Sequence, residues 1–133
     1  MHKVYCGKLK RGADMEEYKL FDAEYKFMNI IWENEPVNST DIVKLSFENL
    51  GWKKSTTYTV LRKLCERGIL KNEAATVSAI VKKEEAQKYE SQAVVDKTFD
   101  GSLPQFLTAF LGGRKISKKE ALELKRIIEE AEK

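Results

Sequence analysis

The segment from Trp52 to Leu70 constrains the fold more than any other stretch of this 133-residue chain. At helical period Thr57, Val60, Leu61 and Leu64 fall on one apolar stripe, which must face a core. The opposite face carries Ser55, Thr56, Tyr58, Thr59, Arg62 and Lys63: short hydroxyls, an aromatic ring and two cations. A packed helix with that outer face suits the major groove of duplex DNA. Hydroxyls and tyrosine reach phosphates and base edges, while Lys and Arg neutralise the backbone. Gly68 is expected to end the helix as a C′ residue, and Ile69-Leu70 opens a strand. Helix, glycine, strand is the passage from a recognition helix into the wing of a winged-helix domain.

The charge map agrees. Residues 51–71 hold Lys53, Lys54, Arg62, Lys63, Arg67 and Lys71 against Glu66 alone, a net +5, whereas residues 13–50 sum to −6. The first twelve residues add +4, so the overall +3 conceals a basic cluster centred on the proposed recognition helix. A concentration of this kind is an electrostatic footprint for nucleic acid.

Upstream of the cluster, Leu20-Phe21-Asp22-Ala23-Glu24 predicts a helix start with Asp22 as N-cap. That helix runs to about Asn34 and buries Tyr25, Phe27, Met28, Ile31 and Trp32, and Pro36 forbids its continuation. Asn38-Ser39-Thr40-Asp41 supplies the next N-cap, Ile42, Val43, Leu45 and Leu50 the next buried face, and Gly51 its end. Three helices with short turns, the third basic, is the helix-turn-helix order. After Gly68 the period becomes alternating, and residues 69–73 and 77–82 predict a hairpin around Ala74-Ala75-Thr76. With neither Gly nor Asn at its tip, the turn type stays open.

From Glu84 the pattern is helical again to about Phe99, where Asp100-Gly101 breaks it. Pro104 suits the first turn of a short apolar helix, Leu103 to Leu111. After Gly112-Gly113, Ser117-Lys118-Lys119-Glu120 is a capping box that opens a last helix with Ala121, Leu124, Ile127, Ile128 and Ala131 along one face. Phe106, Leu107, Phe110 and Leu111 are more apolar surface than a short helix buries by itself. With Leu124 and Ile128 they are the expected dimer contact, because a symmetric dimer is the usual remedy for a single recognition helix.

The domains expected are therefore a basic, flexible extension (1–18), a winged-helix DNA-binding domain (19–83) and a helical dimerisation region (84–133). A basic arm such as the first also suits the minor groove. The fold class is mostly α with a small β-hairpin wing.

Other chemistries fail on inventory. The one histidine, His2, and Cys6 make two ligands at most, too few for a metal site. Cys65 reads as a small core residue. The acids lie on polar helical faces with no nucleophile opposite, and there is no Gly-rich phosphate loop, so no enzyme, cofactor or small-molecule ligand is expected. Two cysteines at unrelated positions make no disulfide framework and fit a reducing cytoplasm. No apolar run reaches the length of a membrane span, and no hydrophobic stretch follows the basic start.

Phe21-Asp22-Ala23-Glu24-Tyr25 with Met28-Asn29-Ile30-Ile31-Trp32, then Trp52 followed by Thr56, Thr59, Leu61, Leu64 and Gly68, resembles the penicillinase-repressor family. The resemblance runs from about Lys19 to the C-terminus. It implies a winged-helix repressor that binds a palindromic operator as a homodimer through a C-terminal helical region. In the antibiotic-responsive members it also implies release by proteolysis, with a membrane sensor-protease as partner. The copper-responsive branch ends in a cysteine-rich hook, and this chain has no cysteine after Cys65. Where family members begin the recognition helix with a Ser-Pro-Lys-Thr type of sequence, this chain has Lys53-Lys54-Ser55-Thr56, and Tyr58 takes the place of a cation. The bond matching the family's cleavage point is Ala109–Phe110, with Ala109 where an asparagine would stand.

The residues expected on DNA are Trp52, Lys53, Lys54, Ser55, Thr56, Tyr58, Thr59, Arg62, Lys63 and Lys71. The competing reading is a winged-helix module that docks a protein. The hydroxyl-rich basic face favours DNA, because a protein-docking face would more often show exposed apolar anchors.

Overall fold

Helix α1 (Asp22–Asn34) opens the computed structural model of the chain, which describes residues 19–133. The extension expected over residues 1–18, with His2 and Cys6, lies outside the described residues. The N-cap of α1 is Phe21, not Asp22, which is already helical. The Phe21 N–H donates to Oε1 of Glu24 at 3.0 Å, so a side chain reaching back from the first turn does what a polar cap residue would do. Phe27, Met28, Ile30 and Ile31 are buried, with Tyr25 and Trp32 half-buried and edge-to-face at 5.5 Å.

Helix α2 (Ser39–Leu50) begins where expected: Asn38 is its N-cap and accepts the Thr40 N–H at 2.9 Å. It ends on Gly51 at φ 71°, a left-handed position that other residues adopt only at a cost. Helix α3 (Lys54–Glu66) closes in a Schellman motif, with Gly68 N–H donating to the Cys65 carbonyl and Ile69 N–H to that of Leu64, both at 3.0 Å.

A short strand, β1 (Val37–Asn38), stands where a plain connection was expected. It exists through pairing with the hairpin that follows α3. That hairpin is β2 (Leu70–Glu73) and β3 (Thr76–Ala79), and the antiparallel sheet runs β1-β3-β2, with Val37 opposite Val77 and Leu70 opposite Ala79. Thr76 pairs with Glu73, so the turn is Ala74-Ala75 alone. Both alanines have positive φ, 52° and 68°, as a type I′ turn requires to match the strand twist. The Ala75 carbonyl accepts the Ser39 N–H at 2.8 Å and ties the turn to the start of α2.

The core joins Phe27, Met28 and Ile31 of α1, Ile42 of α2, Leu61 and Leu64 of α3, and Ile69, Leu70, Val77 and Val81 of the wing. Each such side chain contributes about 1.5–3 kcal/mol when fully enclosed. Ala86, in the first turns of helix α4 (Lys83–Phe99), joins the same core.

Two compact units divide the chain between Ala93 and Val94, within α4. The second unit holds the end of α4, helix α5 (Leu103–Leu111) and helix α6 (Lys118–Glu132). Ser102 caps α5 by accepting the Gln105 N–H at 3.2 Å, and Ser117 caps α6 by accepting the Glu120 N–H at 3.0 Å. Neither helix has a buried residue. The fold is a winged helix followed by a helical region, as the sequence pattern implies.

Candidate nucleic-acid interface

The start of α3 is built against its own helix. Lys53 is the N-cap, offers no side-chain cap hydrogen bond, and no acid lies in the first turn. Lys54 follows at the same positive end of the helix dipole. Placing cations there opposes helix formation by a few tenths of a kcal/mol each. Uncapped N–H groups, a dipole end and two ammonium groups together make this end of α3 strongly positive.

Most of the expected residues stand on one exposed surface. Lys53, Lys54, Ser55, Thr56, Thr59, Arg62 and Lys63 are exposed along α3, and Lys71 is exposed on β2. Their existing partners are weak: Arg62 lies 4.0 Å from Glu66 and Lys71 4.0 Å from Glu73, with all four side chains more than half exposed. Such pairs contribute little and yield readily to a phosphate. The buried face of the same helix is Thr57, Leu61, Leu64 and Cys65, with Val60 half-buried, so the core fixes which face α3 presents.

Two expected contact residues have a structural role as well. Trp52 is half-buried and its ring stacks on Phe27, with centroids 5.5 Å apart and planes 17° apart. Tyr58 is half-buried against the core.

Other side chains tie the wing and α3 to α1 through bonds that the sequence does not show. Arg67 was counted with the cations of the basic cluster, yet its Nη1 lies 3.2 Å from Oε1 of Glu24 and its Nη2 donates to the Lys19 carbonyl. It brackets the end of α3 to the start of α1. Glu35 accepts the Ala79 N–H at 2.7 Å and lies 3.5 Å from the Lys82 ammonium. In the register of β1 with β3, residue 35 would face Ala79, and there the carboxylate takes the N–H that a longer strand's carbonyl would accept. Trp32 adds a third tie, donating from Nε1 to the Val81 carbonyl at 3.0 Å. Together these bonds set the wing against α1 and hence against α3.

In the second unit, Phe106, Leu107, Leu111 and Leu124 are half-buried, while Phe110 and Ile128 are exposed. Phe99 meets Phe106 edge-to-face at 5.6 Å, Phe106 stacks on Phe110 at 5.7 Å, and the Arg114 guanidinium sits 4.4 Å from the Phe110 ring centre. The Ala109–Phe110 bond is exposed but lies inside α5. Among the described residues no group of three His, Cys, Asp or Glu side chains could hold a metal ion, and no helix is long and apolar enough to cross a membrane.

Residues 20–130 match the penicillinase repressor family. The chain is 23% identical over 116 residues to a penicillinase repressor of Bacillus licheniformis, covering 84% of this chain and 91% of that protein. It is also 23% identical over 119 residues to the methicillin resistance regulatory protein MecI of Staphylococcus aureus, covering 86% and 97%. An uncharacterised 16.5 kDa protein of Latilactobacillus sakei is 26% identical over 110 residues, covering 80% of this chain and 75% of its own.

Proposed function

Because the chain belongs to the penicillinase repressor family, and is a transcriptional repressor at that level, we propose that it acts as a homodimer on a palindromic DNA operator. The observation that carries this reading is the start of α3, where Lys53 and Lys54 flank uncapped N–H groups beside exposed Ser55, Thr56 and Thr59. The lysines and N–H groups meet phosphate, and the hydroxyls and Tyr58 read base edges. Arg62, Lys63 and Lys71 extend the phosphate contact, and Trp52 supports the helix from behind.

The dimer forms through the exposed apolar surface of the second unit, including Phe106, Leu107, Phe110, Leu111, Leu124 and Ile128. Cleavage at Ala109–Phe110 by a membrane sensor-protease would cut α6 from the rest of the chain and end repression without touching α3. Because that bond is helical, the last turns of α5 must unwind before a protease can hold it.

Salt titration of operator binding tests the DNA reading. Two copies of the face should give log affinity falling linearly with log salt, with a slope of roughly −4 to −8 for about five to nine neutralised phosphates. Affinity that stays flat across salt would overturn it in favour of protein docking.

A further inference from the structure

We propose that the winged-helix domain reads its operator from the major groove alone, and that the wing braces α2 and makes no base contact in the adjoining minor groove. The inference rests on the DNA reading above and adds which groove carries the sequence information.

The tip of the wing is built into the domain. Thr76 pairs with Glu73 on one side and with Asn38 on the other, so the sheet is three strands wide up to the turn itself. The Ala75 carbonyl carries the pairing one residue further by accepting the Ser39 N–H at 2.8 Å. Ser39 is the first residue of α2 and is buried, so the turn ends against the body of the protein. A loop that enters a groove needs residues free beyond its last strand pair. This wing has only Ala74 and Ala75 there, and α2 holds the carbonyl of the second.

The chemistry of the tip agrees. Minor-groove readers insert Arg, Lys, Asn or Gln, whose donors meet the acceptors on the groove floor. Residues 72–81 contain neither Lys nor Arg and one acid, Glu73. Strand alternation withdraws the one amide. Asn72 lies opposite Val77, whose side chain is fully buried, and its own Oδ1 is enclosed. The residues flanking the turn outward are Glu73 and Thr76, both exposed. The negative potential of the groove repels a carboxylate, and the two alanine side chains offer no donor. Lys71 is the one cation of the hairpin, three residues before the turn, and suits a phosphate at the groove edge. The exposed hydroxyls suited to base edges in the major groove, Ser55, Thr56 and Thr59, stand on α3.

Inosine separates the grooves. An inosine–cytosine pair lacks the guanine N2 amino group, so it presents the minor groove of an A·T pair and the major groove of a G·C pair. On an operator recovered by binding-site selection, each A·T pair in and beside the half-sites is replaced in turn by G·C and by inosine–cytosine. The protein is the full chain with Lys3, Lys8, Lys10 and Arg11 changed to Ala, so that the basic extension supplies no minor-groove cation. Wherever G·C weakens binding, on the order of tenfold at a read position, inosine–cytosine should weaken it equally. A position where inosine–cytosine binds like A·T while G·C does not would overturn the proposal. Glu73→Ala combined with Thr76→Ala should select the same consensus as the parent chain, and an altered consensus would overturn it as well. Binding without sequence preference and flat across salt would instead overturn the operator reading itself.

Discussion

Replacing Phe110 by Ala should separate dimerisation from folding. In the single chain Phe110 is 49% exposed and rests on Phe106 at 5.7 Å and under Arg114 at 4.4 Å. A phenylalanine encloses about 150–250 Å² when fully buried, so roughly 100 Å² of apolar surface remains for a second copy to cover. At about 25 cal/mol per Å² that is about 2.5 kcal/mol per chain, or about 5 kcal/mol per dimer if every part of it is covered. Association also orders side chains and leaves some of the surface wet, so half of that total is the sounder expectation. About 2.5 kcal/mol raises the dimer Kd on the order of a hundredfold. Sedimentation equilibrium should show the shift towards monomer at micromolar concentration. The winged helix should keep its melting transition, because its core is Phe27, Met28, Ile31, Ile42, Leu61 and Leu64. Operator affinity should fall with the dimer, since each monomer must find its half-site alone, about one helical turn (roughly 34 Å) or a multiple from its twin. A variant that stays dimeric and binds the operator normally would refute the placement of the interface.

Lys54→Ala should weaken all duplexes alike and lower the salt slope by about 1 per copy, while Thr56→Ala should cost about 1–3 kcal/mol at one base pair and change the selected consensus. Binding-site selection combined with salt titration distinguishes the two outcomes. Glu35→Ala leaves the Ala79 N–H without its acceptor and Lys82 without its partner, and should cost about 1–3 kcal/mol in urea unfolding; Glu35→Gln, which still accepts that N–H, should recover much of the loss. Ala75→Gly relieves a left-handed alanine at φ 68° and should stabilise the wing by about 1 kcal/mol, read as a raised melting temperature. An unchanged or lowered melting point would mean that the Ala74-Ala75 turn differs from the type I′ form.

What was legible in the sequence is what local chemistry decides. Phe27, Met28 and Ile31, like Leu61 and Leu64, show their faces by spacing alone, and Asn38, Gly51, Gly68 and Ser117 mark helix ends by their own backbone preferences. What was not legible depends on residues distant in the chain. Strand β1 is too short to show an alternation and arises only because β3 lies alongside it. Phe21 caps α1 although its ring offers no acceptor, because Glu24 reaches back while also holding Arg67. Arg67 in turn was indistinguishable by residue type from Arg62, until the fold leaves Arg62 exposed and sets Arg67 against the half-buried Glu24. At the interface, the exposed hydroxyls and cations could be named from periodicity, but the stacking of Trp52 on Phe27 could not. The wing turn escaped for another reason: alanines carry no signal for positive φ, so only the strand register reveals it.

Helix α4 arranges its end charges as its own dipole favours. It places Glu84 and Glu85 in the first turn and Lys97 in the last, each complementing the dipole. Helices α1 and α2 likewise begin with acids, Asp22 and Glu24 in one and Asp41 in the other. Helix α3 breaks the pattern by opening on Lys53 and Lys54 with no acid in its first turn. Local conflicts of this kind persist where a gain elsewhere offsets them, and they concentrate at functional surfaces. On the proposed reading the gain is contact with a polyanion, which takes up the positive charge at the helix start. That surface lies in the first compact unit and the apolar residues proposed for the dimer in the second, so mutating one should leave the other intact. Lys54→Ala should change the salt slope and leave the dimer Kd alone, whereas Phe110→Ala should change the concentration dependence of operator binding but not the phosphate contacts per bound dimer. If either substitution moved both quantities, the surfaces would be coupled and the separation would fail.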